Sequence, residues 1–275
     1  MFLKSKRLIE RKEGLDQLKE ILKDKGKALI IHYSCESFVT SHGRTPRVTS
    51  ISVRSMETAQ MKSFSIHIQA QFDGKNFNNL NPEDYDTLEK KMLFEFYKYM
   101  KSNKDKKWIH WNMRDSNYGF EAIANRYKIL GGNPFHLDDD RKYDFPRILG
   151  KIYSYAYEKN KPDGRLLNLA IRNEISTRDT LTGKQEAAAY DDKEYLKLHR
   201  STLRKVDIMD NIIHRTEQDK LKVNLTKVKI YGLTIPGIIE IVKNNWILFS
   251  IWTILFYVLG AATEPIVQRY FGLGQ

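Results

Sequence analysis

Seventeen consecutive residues near the C-terminus, Trp246 to Ala262 (WILFSIWTILFYVLGAA), carry no charge. The chain before them mixes apolar and polar positions at short periods. At about 1.5 Å per residue a helix over this run covers roughly 25 Å, the short end for a membrane span. Ile247 to Leu255 places Phe, Ile, Leu and Trp on every side, so no face is left for water. Trp246, Trp252 and Tyr257 suit an interfacial belt. The alternative is a buried core helix of a soluble domain, but only 13 residues follow Ala262 to cover it.

The rest of the chain predicts an α/β body. Leu8, Leu15, Leu18, Ile21 and Leu22 recur at helical spacing over 8–25, with Gly26 as a cap. Ala28 to Tyr33 reads as an apolar strand, and Val48, Ile51 and Val53 mark a second. Phe64, Ile66 and Ile68 alternate with polar residues and predict a third. Asn81-Pro82-Glu83-Asp84 opens a helix running to about Met100, with an N-cap, Pro at N1 and acids in the first turn. Trp108 to Trp111 is a short fourth strand, and Tyr118 to Leu130 a helix stopped by Gly131-Gly132. From Tyr143 the pattern is helical, near 144–157, 164–173 and 193–217. Three successive strands suggest an antiparallel meander, and the intervening helix returns the chain for a parallel fourth strand. That order is the one of the ribonuclease H-like fold. The expected organisation is an N-terminal helix (1–27), a cytosolic domain (28–220), a juxtamembrane segment (221–244), and a membrane helix with a short tail (245–275).

Charge sets the orientation. Lys222, Lys227, Lys229 and Lys243 precede the apolar run and only Arg269 follows it, so the positive-inside bias leaves the large N-terminal part in the cytosol. Met1 to Glu20 is charged throughout, so no signal peptide is expected. The expectation is a tail-anchored, single-pass protein of the inner (cell) membrane. The single cysteine, Cys35, excludes an internal disulfide and fits a reducing compartment. A formal net charge of +12 and a pI near 9.5 favour an anionic partner, either nucleic acid or the inner leaflet. The charge concentrates in Lys4 to Lys27 and in Lys197 to Lys229, where nine Lys or Arg face four acids.

Candidate chemistry lies where the strands end. The first strand ends Ser34-Cys35-Glu36, and the fourth is followed by His110-Trp111-Asn112 and then Asp115. Tyr143-Asp144-Phe145 lies downstream, and His199 is followed five residues later by Arg204 and then Lys205. Over roughly 28–215 this set resembles the DEDD family of 3′-to-5′ exonucleases. The resemblance implies an Asp-x-Glu motif at the first strand, where this chain has Ser34-x-Glu36. It also implies an Asp five residues after the last His, where this chain has Arg204. Two-metal hydrolysis needs several carboxylates converging on two cations about 3.5–4 Å apart. With both end acids lost, the expectation is a domain with no catalytic residues, no metal and no cofactor. Arg204 and Lys205 would place positive charge where metal ions sit in the family, leaving a pocket that holds a single strand without cutting it.

The expected nucleic-acid-binding set is Glu36, Arg44, Arg47, Trp108, Asn112, Asp115, His199, Arg200, Arg204 and Lys205. Tyr33, Phe38 and Trp111 lie near it as further stacking groups. Each residue has a structural alternative. Glu36 can be a loop acid, and His110 and His199 can be satisfied structural histidines. Asp115 can cap a helix near Ser116, and Arg44 and Arg47 can solvate a hairpin. Arg200, Arg204 and Lys205 can be helix surface, and Asp138-Asp139-Asp140 a solvated loop. A metal-dependent exonuclease retaining Glu36, Asp115, Asp144 and His199 is the enzymatic alternative. A membrane anchor with a basic lipid- or protein-binding domain is the structural one.

A single helix cannot enclose a pore, but a cyclic ring of identical chains can. Trp246, Phe249, Trp252 and Phe256 would then form the membrane part, with Glu264, just before Pro265, at the mouth. Ile235-Pro236-Gly237 opens an apolar stretch that could lie along the membrane. This plan resembles bacterial anti-phage membrane effectors, in particular the channel component of the Hailong defence system. The resemblance implies a homo-oligomer such as a tetrameric ring, gated by single-stranded DNA oligomers, and a nucleotidyltransferase partner that makes them. Leu255→Arg, at the centre of the apolar run, should cost about 3 kcal/mol on insertion scales and move the protein out of the membrane fraction. Undiminished membrane association would remove the span assignment.

Overall fold

The computed structural model describes residues 5–37, 45–76 and 79–271. Strand β1 (Ala28–Cys35) is buried along almost its whole length. An apolar run without strict alternation marks a strand covered on both faces. β2 (Val48–Ser55) pairs antiparallel with β1, and β3 (Met61–Ser65) antiparallel with β2. β4 (Lys107–His110) lies parallel to β1 on the other side, and β5 (Lys142–Asp144) parallel to β4. The sheet order is β3-β2-β1-β4-β5, a mixed sheet with helices on both faces.

Leu29, Ile31 and Tyr33 of β1 face α3 (Pro82–Ser102) and α4 (Phe120–Ile129), through residues such as Leu88, Phe96 and Ile123. Ala28 and Ile30 belong to the opposite core. There α1 (Lys6–Leu22), α5 (Phe145–Tyr153), α6 (Arg165–Arg172) and α8 (Tyr195–Glu217) contribute Ile21, Leu149, Leu169 and Met209. The N-cap reading of α3 holds in detail. The Asn81 side chain accepts from Asp84 N (2.7 Å), Asp84 accepts from Asn81 N (3.4 Å), and Pro82 sits in the first turn.

Other elements depart from the sequence pattern. The alternation at 64–68 predicts one strand, but β3 ends at Ser65 and α2 (Ile66–Phe72) follows. Phe64 to His67 are consecutively buried, and Ile66 and Ala70, four apart, pack inward as on a helix. Three alternating residues satisfy both periods. β5 is three residues long, below the length at which a period shows, and the helical pattern expected from Tyr143 begins only at Phe145. α7 (Gly183–Asp191) was not anticipated, although Thr182 and Gln185 form a reciprocal capping box. Gly26 does not cap α1: Lys23 is the C-cap, and Gly26 lies in a separate 3-10 turn. α4 starts at Phe120, because Gly119 (φ 148°) pairs with Arg114. A Cβ on Gly119 would lie 2.3 Å from the Met113 carbonyl.

Within 1–27, Leu18 and Ile21 of α1 pack into the core that α5, α6 and α8 share. The globular body also runs past 220. Leu221, Ile230 and Tyr231 are buried, and Asn224 N donates to Tyr157 O (2.8 Å). Beyond α9 (Lys227–Tyr231) come α10 (Ile235–Lys243) and α11 (Trp246–Phe271). Among the described residues α11 alone is long and apolar enough to cross a membrane, over the 20 residues Trp246–Pro265. That stretch is unburied and about 30 Å long as a helix, which matches a hydrocarbon core.

α1 is seated on α5 by a glycine. A Cβ on Gly14 would stand 2.8 Å from both Ile152 Cγ1 and Lys151 Cβ and 3.0 Å from Ile152 N. Arg7 donates to Lys151 O (2.6 Å) and Arg11 to Ile152 O (2.9 Å). Gly14→Val should therefore destabilise the detergent-solubilised chain by about 1–3 kcal/mol, as overpacking does, despite its better helix propensity. An unchanged unfolding midpoint would show that α1 does not depend on this contact.

Candidate nucleic-acid interface

The parallel strands β1, β4 and β5 end on the same edge of the sheet, where open α/β folds commonly bind ligands. Asp144 closes β5. Its carboxylate accepts from Asn112 N (3.2 Å) and from Arg114, and Arg147 Nε lies 3.6 Å away. Asn112 reaches it from a left-handed backbone conformation (φ 56°) and also accepts from Arg114 (2.9 Å) through its own side chain. Burial raises the Asp144 carboxyl, and Arg114, the Asn112 N–H and Arg147 oppose the rise. His110 Nδ1 lies 3.9 Å from Asp144 but accepts from Met113 N (3.1 Å), which assigns a neutral ring protonated on Nε2. Burial, reinforced by Arg114, Lys142 and Arg147, holds His110 down to about 3.

Asn112, Arg114, Asp144 and Arg147 open onto a cleft of about 730 Å³. Arg114, Lys142, Arg147, Lys151 and Arg165 line it, against Asp139, Asp140 and Asp144. α5 explains the arrangement. Phe145, Ile148, Leu149 and Ile152 are buried, while Arg147 and Lys151 stand four residues apart on the opposite face. Tyr155 follows, 56% exposed, on the same cleft. Its ring lies against Gly150, where a Cβ would come within 2.6 Å of it. Cations beside an accessible aromatic face match the chemistry of single-strand binding: charge for the backbone, a platform for a base.

The expected site residues do not converge on one pocket. Asn112 lines the cleft, but Asp115 does not: it turns back to accept from Asn117 N (2.8 Å) and caps no helix. Glu36 is buried at the end of β1 and accepts from Arg47 N (3.3 Å). Arg47 pairs with Asp86 (3.0 Å) and stacks over Tyr85 (5.0 Å), so its charge is engaged on α3. Asp86 also joins the buried Arg126–Glu89 pair. Trp108 is a correction. It is fully buried and donates to Asn103 O (3.2 Å), which leaves no face for a base. Arg44 and Phe38 lie outside the described residues.

On α8 the expected cationic pocket is also corrected. Lys205 is buried and donates to Glu186 (2.7 Å). Arg204 donates to Ser176 O (3.1 Å) and lies 3.8 Å from Asp207. Arg200 is exposed and lines a different depression, with Tyr195 and Lys197. His199 is buried beside His67, ring centroids 5.0 Å apart. On α11, Trp246 and Phe249 are exposed, and Trp252 meets Phe256 edge to face at 5.1 Å. Glu264 accepts from Gln268 (3.1 Å).

Sequence reasoning missed Arg114, Lys142, Arg147, Lys151, Tyr155 and Arg165. The signal was present in 141–157 (RKYDFPRILGKIYSYAY), where basic residues interleave with aromatics. Among the described residues, no group of three His, Cys, Asp or Glu is placed to hold a metal ion. No protein-family model matches the chain, and no curated protein or solved structure is significantly similar to it.

The buried histidines give the fold an acid sensitivity. Burial, with Lys205 nearby, holds His32 down to about 3; burial and His67 hold His199 to about 4. In the unfolded chain these rings take up protons near pH 6.5, whereas in the fold they stay neutral until far lower. The unfolded state therefore binds more protons between about 6.5 and 4, and stability falls as pH drops through that window. At pH 5.5, His32, His110 and His199 should each remove on the order of 1 kcal/mol relative to neutral pH. Denaturant melts at pH 7.5 and 5.5 should show this loss, and His32→Asn should shrink the difference between them by about 1 kcal/mol, roughly a third of the histidine contribution. An identical difference in His32→Asn would contradict the assignment.

Proposed function

We propose that the chain is a membrane effector whose globular body binds a single-stranded DNA oligomer and whose terminal helix assembles with copies of itself into a channel. The observation that carries this reading is the cleft at the ends of β4 and β5, which Arg114, Arg147, Lys151 and Arg165 line together with the exposed Tyr155. The cleft replaces the α8 pocket expected from sequence. The sheet order β3-β2-β1-β4-β5, with β1, β4 and β5 parallel, supports a ribonuclease H-like body. It is also the framework of the DEDD exonucleases that the strand-end motifs resemble.

A binding rather than a cutting role is favoured by how the acids are used. Asp144 is held by Arg114, and Glu36 by the Arg47 backbone, where hydrolysis needs carboxylates directed together at two cations. In this reading the body is cytosolic, α11 crosses the bacterial inner membrane, and copies close a ring. A partner nucleotidyltransferase supplies the oligomer, as in the Hailong effectors that the plan resembles. The ligand would act by binding the closed and open assemblies with different affinity.

Fluorescently labelled single-stranded DNA titrated into the detergent-purified chain with Mg²⁺ present tests the reading, with binding and cleavage followed together. Binding without cleavage is expected, weakening with salt by a slope of about 0.7 per phosphate contacted. Tyr155→Ala should weaken binding by about 1–3 kcal/mol, the worth of one stacked base. Arg147→Glu should weaken it further and flatten the salt slope. Cleavage would instead identify a membrane-tethered nuclease, and absence of binding would leave lipid or protein as the partner of the basic body.

A further inference from the structure

A second depression lies far from the strand ends in chemistry. Gly232 (φ 88°) turns the chain after α9, and Thr234 caps α10, accepting from Gly237 N (3.3 Å). A Cβ on Gly237 would meet Gly232 O at 2.3 Å, so α10 is folded tightly against this turn. α10 lies beside α1, and between them runs a groove of about 620 Å³. That size falls in the usual range for small-molecule sites, about 300–1,000 Å³. Leu8 and Leu15 form one wall and Ile235, Pro236 and Ile239 the other. Leu233, Ile235 and Ile238 nearby are half or more exposed.

The charges at its rim are already matched within the protein. Arg11 donates to Ile152 O (2.9 Å) and stacks over Tyr231 (4.8 Å); Lys12 pairs with Asp16, and Lys243 lies 3.7 Å from Glu240. The rim is therefore close to electrically balanced, and what the groove offers is hydrocarbon. Its position identifies the occupant. Lys243 lines the groove and stands three residues before Trp246, at most about 11 Å along the chain. The link is a tight turn: Asn245 Oδ1 accepts from Ile247 N (3.1 Å) and Leu248 N (3.3 Å), starting α11 directly after α10. The groove therefore ends, at Lys243, within one short turn of the start of α11.

We propose that the groove between α1 and α10 holds an acyl chain of a membrane lipid and seats the globular body on the bilayer surface. This rests on α11 spanning the membrane. The test reconstitutes the full chain into phosphatidylcholine–phosphatidylglycerol vesicles containing a phospholipid with a photoactivatable diazirine on its acyl chain. After irradiation, adducts are mapped by peptide mass spectrometry. Adducts are expected in α1 and α10 as well as in α11. Ile239→Trp, which fills the groove, and Ile235→Glu, at an exposed position, should each abolish the α1 and α10 adducts and leave those on α11. Adducts confined to α11 in the unmodified chain would overturn the proposal, as would intermolecular α1–α10 cross-links showing a second copy in the groove. Adducts that persist on α1 and α10 in both variants would also overturn it. Loss of adducts everywhere, α11 included, would instead refute the membrane span on which the proposal rests.

Discussion

The contact between α1 and α5 at Gly14 is the constraint to which both ends of the molecule are referred. A helix presents its last carbonyls without partners, and those of α5 are taken by Arg7 and Arg11 of α1. With no side chain at position 14 the two helices approach until backbone meets side chain. Arg7 also donates to Ile230 O (2.8 Å), which fixes α9 to the same helix. α5 carries the cleft cations Arg147 and Lys151, and the opposite side of α1 faces α10. One pair of helices thus separates the proposed DNA cleft from the proposed lipid groove. Close-packed elements of this kind respond as rigid bodies and do not deform continuously.

Local signals were legible where a few adjacent residues decide the outcome. Asn81-Pro82-Glu83-Asp84 specifies its helix start without tertiary help, and the apolar run of β1 announces a central strand. The Ile66–Ile68 alternation misled because a strand and the first turn of a helix share those positions. β5 owes its existence to pairing with β4, which no three-residue window contains. For the site, the decisive information was long-range. Lys205 is cationic in sequence, but Glu186, 19 positions away, neutralises it in the fold. Arg114 and Arg165, from separate loops and helices, meet at one cleft only through the sheet. Residue type therefore identified basic stretches, and packing decided which charges stay available.

Several cations of this chain of net charge +12 are engaged in holding elements together. Arg47, Arg54 and Arg126 each face carboxylates across elements and hold β2, α3, α4 and α8 together. Such partly buried pairs fix geometry more than they add stability. The cleft cations are paired too, Lys142 with Asp139 (2.8 Å) and Lys151 with Glu13 (3.3 Å), but five of them line it against three acids, with Tyr155 open beside them.

α11 has a property that bears on how any assembly would hold together. Ser250, Thr253 and Thr263 each donate their hydroxyl to a carbonyl one turn back, Trp246, Phe249 and Leu259 respectively. These hydroxyls are satisfied within their own helix and have no need of a neighbour. Within a bilayer, where apolar side chains meet lipid tails as readily as one another, cohesion between such helices comes from shape alone. Neighbouring helices of this kind can slide or rotate past one another without breaking a hydrogen bond, so the barrier between two arrangements is set by side-chain interlock.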